Sequence, residues 1–343
     1  MGPRMEYFIK KTRPFQLLFV AVAVLCLLVF LVFNFLLNDR HGSFEGHAEV
    51  HQELEIPMSR DGLETVTIEA GEAKVEVGMA SSLGKPMVTV SGRGCTNQLA
   101  KVDLTGTHCD IVLEGDASNA KELTLQIPLP QDNLTKVDII TSGDTNLNVD
   151  TLRTAALNIE TEAGYANINN VKAKSLSVSA QTAPIRMTNN KISQVSMTVE
   201  DASVTMLENS FEKVTGESQN GNIFAYNKRL KGDWTLTSMG GELTLLSSNL
   251  PYNVLIDALS GDGGVDMTYT KRFWKDAEVV ASDENTYKGS VGTTPNKIVE
   301  LTSGFGKVTV GQRGRFDNLD PYAKDYPYAN ENPYTIERST ITK

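Results

Sequence analysis

The chain contains little of what most catalytic or nucleic-acid-binding proteins depend on. Of its 343 residues only three are cysteines and four are histidines, and aromatic residues make up 7%. The 32 basic residues are outnumbered by 42 acidic ones, which leaves a formal net charge of −10. This charge argues against a nucleic-acid partner, which needs a basic face to displace counterions from phosphates. No nucleophile elbow, P-loop or zinc motif is present, so the sequence predicts neither an enzyme nor a bound cofactor.

One long apolar run stands near the N-terminus. The run "FQLLFVAVAVLCLLVFLVFNFLL" extends from Phe15 to Leu37, long enough to cross about 30 Å of hydrocarbon as a helix. Residues 1–14 carry +3, from four basic residues and one acidic residue, and everything after the run carries −13. The positive-inside rule therefore predicts a single-pass membrane protein with residues 1–14 in the cytoplasm and the rest in the periplasm or at the cell surface. A cleaved signal peptide is the alternative, although the run is longer than a usual h-region and no small-x-small site follows it.

Two of the cysteines, Cys95 and Cys109, lie in the predicted exported part. An oxidising compartment would allow a disulfide between them. Their separation in the sequence does not say whether their Cα atoms come close enough to be bridged. The disulfide is therefore one of two open alternatives.

From Leu157 onwards the chain repeats one pattern. Apolar or small residues recur at offsets 0, 2, 4, 9 and 11 from the start of each copy, and polar residues lie between them. The copies start at Leu157, Leu176, Val195, Val214 and Trp234. Alternation with period 2 indicates strands with one buried face, and stacked units bury the apolar stripe that no single unit could bury. The sequence therefore predicts an all-β fold, a single-stack β-solenoid (β-helix) with coils of about 19–20 residues, preceded by one transmembrane α-helix.

The template also fits other parts of the chain. Further coils are predicted to start at Val66, Val102, Val137, Val254 and Val299. Small or conformationally permissive pairs mark the first turn of each coil, as in Asn220-Gly221 and Gly240-Gly241. Asparagine marks the second turn, and we expect stacked asparagine side chains to satisfy backbone groups there. The residues concerned are Asn169, Asn170, Asn189, Asn190, Asn209, Asn227 and Asn249.

The order of these segments resembles the DUF4097 family, which carries the label "putative adhesin". The opening "LETVTIEAGEAKVEVGMASSLGKPMVTVSGRG", the proline-ended strand "LTLQIPLP" and coils such as "VDIITSGDTNLNVDTL" and "VELTSGFGKVTVGQ" carry the resemblance over roughly residues 50 to 312. Several coils depart from the family's Ser-Gly corner and have "TAP" or "EDAS" instead. The resemblance implies an envelope-associated protein, since some members are linked to envelope-stress systems. It supplies no catalytic residue.

Two segments interrupt or follow the repeat and hold most of the candidate partner contacts. The insertion at residues 270–297 contains Phe273, Trp274 and Tyr287, and is either a binding loop or an irregular extra coil or cap. The tail at residues 315–343 alternates prolines with tyrosines that suit a partner's groove, and is otherwise a disordered tail or a strip along the solenoid. The tyrosines of the tail are Tyr322, Tyr326, Tyr328 and Tyr334.

Other polar clusters have ordinary interpretations. His47 and His51 are spaced for a metal on a helix, but their segment reads better as a linker entering a strand. Acidic residues around "SGDGG" match no calcium loop and are typical of turns. The densest basic stretch, Lys228, Arg229 and Lys231, is interpreted as a solvated corner.

Together these observations predict the organisation and role of the chain. A cytoplasmic segment (1–14), a transmembrane helix (15–37) and a juxtamembrane linker with a first strand (38–61) precede a solenoid (62–314, with the insertion) and the tail. We expect a non-catalytic envelope scaffold or adhesin-like interaction module that binds a protein or an envelope polymer. The alternatives are a subunit of a larger membrane assembly, including a homo-oligomer built through solenoid edges, and a polysaccharide-active enzyme.

Overall fold

Backbone hydrogen bonds in this protein run mainly between neighbouring coils. The computed structural model describes residues 49–57, 62–80, 86–93, 99–114, 123–130, 134–249, 253–267, 277–291 and 294–312, which form 23 β-strands and no helix. In chain order the strands are β1 (Glu49–Glu55), β2 (Thr65–Ala70), β3 (Lys74–Met79), β4 (Met87–Arg93), β5 (Leu99–Thr105), β6 (His108–Glu114), β7 (Leu123–Leu129), β8 (Lys136–Asp150), β9 (Ala156–Asn169), β10 (Lys172–Ala180), β11 (Ile185–Thr188), β12 (Lys191–Val199), β13 (Val204–Leu207), β14 (Ser210–Ser218), β15 (Ile223–Arg229), β16 (Asp233–Ser238), β17 (Leu243–Asn249), β18 (Val254–Ser260), β19 (Val265–Asp266), β20 (Ala277–Ser282), β21 (Thr286–Val291), β22 (Lys297–Ser303) and β23 (Val308–Gln312). The all-β prediction is confirmed for this part of the chain.

The strands stack into two faces that enclose the core. Face A contains, in spatial order, β5, β6, β2, the first halves of β8 and β9, then β10, β12, β14, β16, β22, β18, β21 and β20. Face B contains β1, β4, β7, β3, the second halves of β8 and β9, then β11, β13, β15, β17, β23 and β19. Each coil gives one strand to each face, which makes the molecule a two-faced β-solenoid.

The predicted register is confirmed in the middle of the stack. The five predicted starts, from Leu157 to Trp234, lie opposite one another on consecutive strands of face A. All of them are buried. The rings of Phe211 and Trp234 pack with their centroids 6.0 Å apart. The coils therefore share one continuous core, as the regular spacing of the copies predicts.

Asparagine side chains form a ladder at the second corner, as expected. The side-chain oxygen of Asn190 accepts the N–H of Val171 at 2.8 Å, and that of Asn209 accepts the N–H of Asn190 at 2.9 Å. Asn227 continues the ladder by accepting the N–H of Asn209 at 2.7 Å. The amide of Asn209 also donates to the Met187 carbonyl at 2.9 Å. These three asparagines are buried, so each replaces water for a backbone group that has turned away from the sheets.

The first corner is closed by serine and glycine in the later coils. Ser238 Oγ accepts the N–H of Gly241 at 2.8 Å, and Ser303 Oγ donates to the Gly241 carbonyl at 2.9 Å. A Cβ atom on Gly241 would lie 2.1 Å from the carbonyl oxygen of Gly221 in the neighbouring coil. Only glycine fits where the corners stack this closely.

The coil that follows β17 does not stack on β16 and β17. Those strands pair instead with β22 and β23, and β18 lies outside β22. The last coil, 297–312, is therefore inserted between the coils 233–249 and 254–267. The predicted start at Val254 is wrong, because Ile256 lies opposite Val299 while Val254 lies opposite Lys297. Chain order and strand order separate here because backbone pairing depends on register and not on position in the sequence.

The predicted coil starting at Val102 is also wrong. Strands β5 and β6 form an antiparallel hairpin in which Val102 lies opposite Ile111, and Gly106 turns the chain with φ of 65°. Period-2 alternation is common to hairpins and coils, so it could not separate them. Strand β6 then pairs with β2, which leaves the coil 65–79 inserted between the coil 108–129 and β8. The two ends of the solenoid thus share one arrangement.

Antiparallel strands cover both ends of the stack. At one end of face A, β5 is the outermost strand, and the side chain of Gln52 on β1 binds its backbone. Gln52 Nε2 donates to the Ala100 carbonyl at 3.1 Å, while the Ala100 N–H donates to Gln52 Oε1 at 2.9 Å. At the other end the hairpin β20–β21 pairs with β18. Such coverings reduce edge-to-edge association.

Candidate functional site

Many residues singled out in the sequence lie outside the described part of the chain. These are Phe15 and Leu37 at the ends of the apolar run, and Cys95, Phe273, Trp274, Tyr322, Tyr326, Tyr328 and Tyr334. Among the residues that the structure describes, no helix is long and apolar enough to span a membrane. The anchor, the tail contacts and the disulfide therefore stay predictions.

The other half of the predicted disulfide, Cys109, lies in the core. It stands on β6 opposite Val66 and is a free cysteine with its side chain buried. Burial, and then the nearby carboxylates of Asp110 and Asp103, raise the pKa of this thiol to about 11. Cys109 is accordingly a weak nucleophile in the folded protein.

The described part of the insertion is a cap. Residues 277–291 form the hairpin β20–β21, and Tyr287 on β21 lies opposite Ala258 of β18. Tyr287 is only 8% exposed and belongs to the core, so burial raises the pKa of its hydroxyl. The interpretation of Tyr287 as a surface contact is corrected, because a partner could reach it only by opening the hairpin.

The structure does not gather the candidate metal ligands. His51 lies on β1 and pairs with Glu53 at 3.3 Å, while Asp257 and Asp266 bind the ammonium groups of Lys288 at 2.5 Å and Lys307 at 2.8 Å. Within the described ranges, no three His, Cys, Asp or Glu side chains converge on a point where a metal ion could sit. These carboxylates serve as partners of lysines on neighbouring strands.

A stack of basic residues along the second corner was not recognised in the sequence. Arg153 forms a backbone bridge with Lys172, Lys172 lies opposite Lys191, and Lys191 lies opposite Ser210. The gap at Ser210 is filled from the next coil, because Lys231 Nζ donates to Ser210 Oγ at 3.2 Å. The basic residues are exposed and follow one another at the strand spacing of about 4.8 Å. We call Arg153, Lys172, Lys191 and Lys231 the basic ladder.

The basic ladder borders a shallow groove of about 660 Å³. Lys174 and part of the ladder supply its positive charge, and Glu212 is its one carboxylate. The remaining lining is apolar or hydroxylated: Thr154, Ala155, Ala173, Ile192, Ser193 and Ser210. The groove is therefore a positively charged strip with an apolar floor on a protein whose net charge is −10.

The charges of the groove are not neutralised within the described part of the chain. Lys172, Lys174 and Lys191 form no ion pair there, in contrast to Lys74, Lys136 and Lys307 elsewhere on the surface. Two unit charges about 5 Å apart in water repel each other by roughly 0.8 kcal/mol. An anion with several charged groups along the ladder would replace this repulsion by attraction. The arrangement can bind and orient such an anion, and it contains no pair of carboxylates for hydrolysis.

The comparison with protein families agrees with this architecture. The family model described as Toastrack DUF4097 matches residues 51–304, most of the chain. The chain belongs to the DUF4097 family. The match includes the two capped ends, both faces and the basic ladder, so the resemblance seen in the sequence is confirmed. No curated protein matches the chain.

Several solved structures resemble this DUF4097 protein distantly. A "putative adhesin" from Bacteroides fragilis is 12% identical, with 76% of this chain and 96% of that chain covered and a TM-score of 0.46. A "putative lipid binding protein" from Parabacteroides distasonis is 11% identical, with the same coverage and a TM-score of 0.42. A "putative cell adhesion protein" from Clostridium sporogenes is 14% identical, with 77% and 100% covered and a TM-score of 0.29. At these scores the similarities do not bear on the groove.

Proposed function

We propose that this protein is a non-catalytic, membrane-anchored module that binds a linear anionic polymer of the cell envelope in the basic groove. The observation that carries the proposal is the basic ladder, in which Arg153, Lys172 and Lys191 stand on consecutive coils. A single small anion would occupy one step of this ladder. A chain with repeated phosphate or carboxylate groups would contact several steps at once and gain from each.

The envelope part of the proposal rests on the N-terminal sequence. The apolar run from Phe15 to Leu37, with positive charge before it, favours an anchor whose exported part faces the envelope. Anionic polymers surround a protein in that place. The acidic remainder of the surface would repel such a polymer only weakly, since charges beyond about 10 Å are largely screened at physiological salt.

The two rival functions are less well supported by the geometry. A homo-oligomer built through open coil edges is disfavoured by the antiparallel strands β5 and β20–β21, which cover the ends of face A. Glycoside hydrolysis uses a pair of carboxylates at a defined separation, whereas Glu212 is the single carboxylate lining the groove. Binding without turnover therefore fits the groove better than either rival.

The proposal is tested with the full-length protein in detergent micelles and two immobilised polymers, long-chain inorganic polyphosphate and polygalacturonate. We expect binding to at least one polymer, and we expect the K172E/K191E variant to lose roughly tenfold or more in affinity. Wild-type binding should weaken as salt rises, and the double variant should have a shallower salt dependence, by about one unit of slope per lost contact. The matched control is K74E/K307E, which changes the net charge equally at sites far along the surface.

Three results would contradict the proposal. These are equal affinity of wild type and K172E/K191E, an equal loss in K74E/K307E, and binding to phosphatidylglycerol vesicles without binding to either polymer. The last result would show that lipid headgroups, and not a polymer, carry the recognised phosphate.

A further inference from the structure

The outer side of face B contains apolar side chains where the alternation calls for polar ones. On β15, Ile223 and Ala225 point into the core, so Phe224 and Tyr226 between them point away from it. Leu207 and Leu246 occupy the positions beside Tyr226 on the two neighbouring strands. These four residues form an apolar cluster separate from the core. We call it the outer cluster.

The outer cluster is nevertheless buried. Leu207 is 2% exposed, Tyr226 3%, Phe224 5% and Leu246 6%. Two outward-facing residues of the adjacent strands, Arg186 on β11 and Thr205 on β13, are buried as well. Every described strand belongs to face A or face B, so none of them lies over this side. Burial of outward-facing side chains therefore requires a layer that covers face B from β11 to β17.

We propose that this layer is the chain's own C-terminal tail, residues 315–343. The described chain ends at Gln312 in β23, which pairs with β17 at the border of the outer cluster. From β23 to β11 the distance is four strand spacings, or about 19 Å. An extended tail of this length reaches roughly 95 Å, so it can cross the cluster with residues to spare.

The composition of the tail suits this surface. Its tyrosines can bury their rings against Phe224 and Leu246 while their hydroxyls stay at the rim. Its prolines favour an extended conformation that needs no ladder of backbone hydrogen bonds with a strand. The tail also carries Asp317, Asp320, Asp325 and Glu331, which are complementary in charge to the buried Arg186.

Other occupants fit less well. The apolar run from Phe15 to Leu37 would leave the bilayer for which its length is suited. A second copy of the protein would bury the outer cluster only above its dissociation concentration. A tethered tail covers the cluster at every concentration, because the second binding event is intramolecular. In this proposal the tyrosines that the sequence offers as partner contacts are occupied within the chain.

A photo-crosslinking experiment identifies the occupant. Benzoylphenylalanine is placed at Phe224 in one full-length variant and at Leu246 in another, and crosslinked peptides are identified by mass spectrometry. We expect crosslinks within one chain to residues 315–343. The control position is Phe305, which is 66% exposed and lies outside the outer cluster, and it should yield no crosslink to the tail. Crosslinks to a second copy, to residues 1–48, or to neither would overturn the proposal.

A second variant keeps the proposal testable if benzoylphenylalanine disturbs folding. In the full-length chain, Tyr322, Tyr326, Tyr328 and Tyr334 are changed together to serine. We expect severalfold stronger fluorescence of the dye ANS, which binds exposed apolar surface, with polymer binding in the groove unchanged. Phe305→Ser is the control and should leave ANS fluorescence unchanged. Wild-type ANS fluorescence in the tyrosine variant would contradict docking of the tail, and it would leave the proposal for the groove intact.

Discussion

At the scale of single residues, the asparagine ladder shows how a corner can be buried without water. Asn190 and Asn209 each accept a backbone N–H from the preceding coil and donate to a carbonyl further back. A side chain thus performs at the corner the role that a neighbouring strand performs within a face. An aliphatic residue of the same size would fill the space and leave the donors unpaired.

We predict that Asn209→Ala destabilises the protein markedly. The substitution removes the acceptor of the buried Asn190 N–H and the donor to the Met187 carbonyl, and each unsatisfied group costs about 1–3 kcal/mol. Denaturant unfolding of both proteins would measure the change. The control Asn220→Ala removes an exposed amide that binds Asp201, and it should cost less than about 0.5 kcal/mol. Equal effects of the two substitutions would refute the role of the ladder.

A second prediction concerns Cys109 at alkaline pH. Its thiol has a pKa of about 11 when folded and ionises near the ordinary value of 9.0 when unfolded. The unfolded chain therefore loses the proton first, so the stability contributed by the neutral thiol is complete below pH 9 and is lost as pH rises towards 11. Under reducing conditions, the free energy of unfolding of wild type should fall more steeply over this range than that of Cys109→Val. Parallel pH curves for the two proteins would contradict the buried thiol.

At the scale of elements, sequence reasoning succeeded in the middle of the stack and failed at its ends. From Leu157 to Trp234 the strict spacing leaves one register in which all apolar residues face the core. At the ends, the antiparallel hairpin β5–β6 has the same alternation as a coil, and the inserted coil 297–312 is chemically equivalent to its neighbours. The order of stacking was therefore not readable from the pattern.

The candidate surfaces were overlooked for a related reason. Arg153, Lys172 and Lys191 follow the period of the coils, so they look scattered along the chain although the fold aligns them on consecutive coils. The repeat itself contained this signal. Phe224 falls between two core positions of the repeat, and nothing in the alternation of β15 alone shows that a cover exists.

The hairpin β20–β21 leads to a prediction about its role as a cap. Ala277 lies opposite Val291, so residues 277–291 can be deleted without stretching the chain. We expect the deletion to expose the edge of β18 and the core beneath Tyr287, and hence to cause concentration-dependent association and a lower unfolding temperature. Light scattering coupled to size-exclusion chromatography would detect the association. The control Val280→Ser changes a residue that is 69% exposed in the intact hairpin and should behave as wild type. A deletion variant with unchanged association and stability would show that the hairpin is dispensable.

At the scale of the whole molecule, the inserted last coil makes a prediction that chain order alone would not. In a background without native cysteines, Thr235→Cys and Glu300→Cys place two thiols on paired residues of β16 and β22. Mild oxidation should join them. Thr235→Cys with Asp257→Cys should remain reduced, because β22 separates those strands by about 9.6 Å, two strand spacings. Peptide mapping would distinguish the outcomes, and a bond in the second pair alone would establish serial stacking.

The insertion of a coil at each end also determines where the protein can change in length. A coil duplicated between β10 and β14 would meet the same asparagine, apolar and basic neighbours as the original, and it would lengthen the stack by about 4.8 Å. A coil added beyond either end would have to displace a hairpin. Gene duplication can thus vary the number of anion subsites through the middle of the repeat, one charge at a time, while both termini of the domain stay constant.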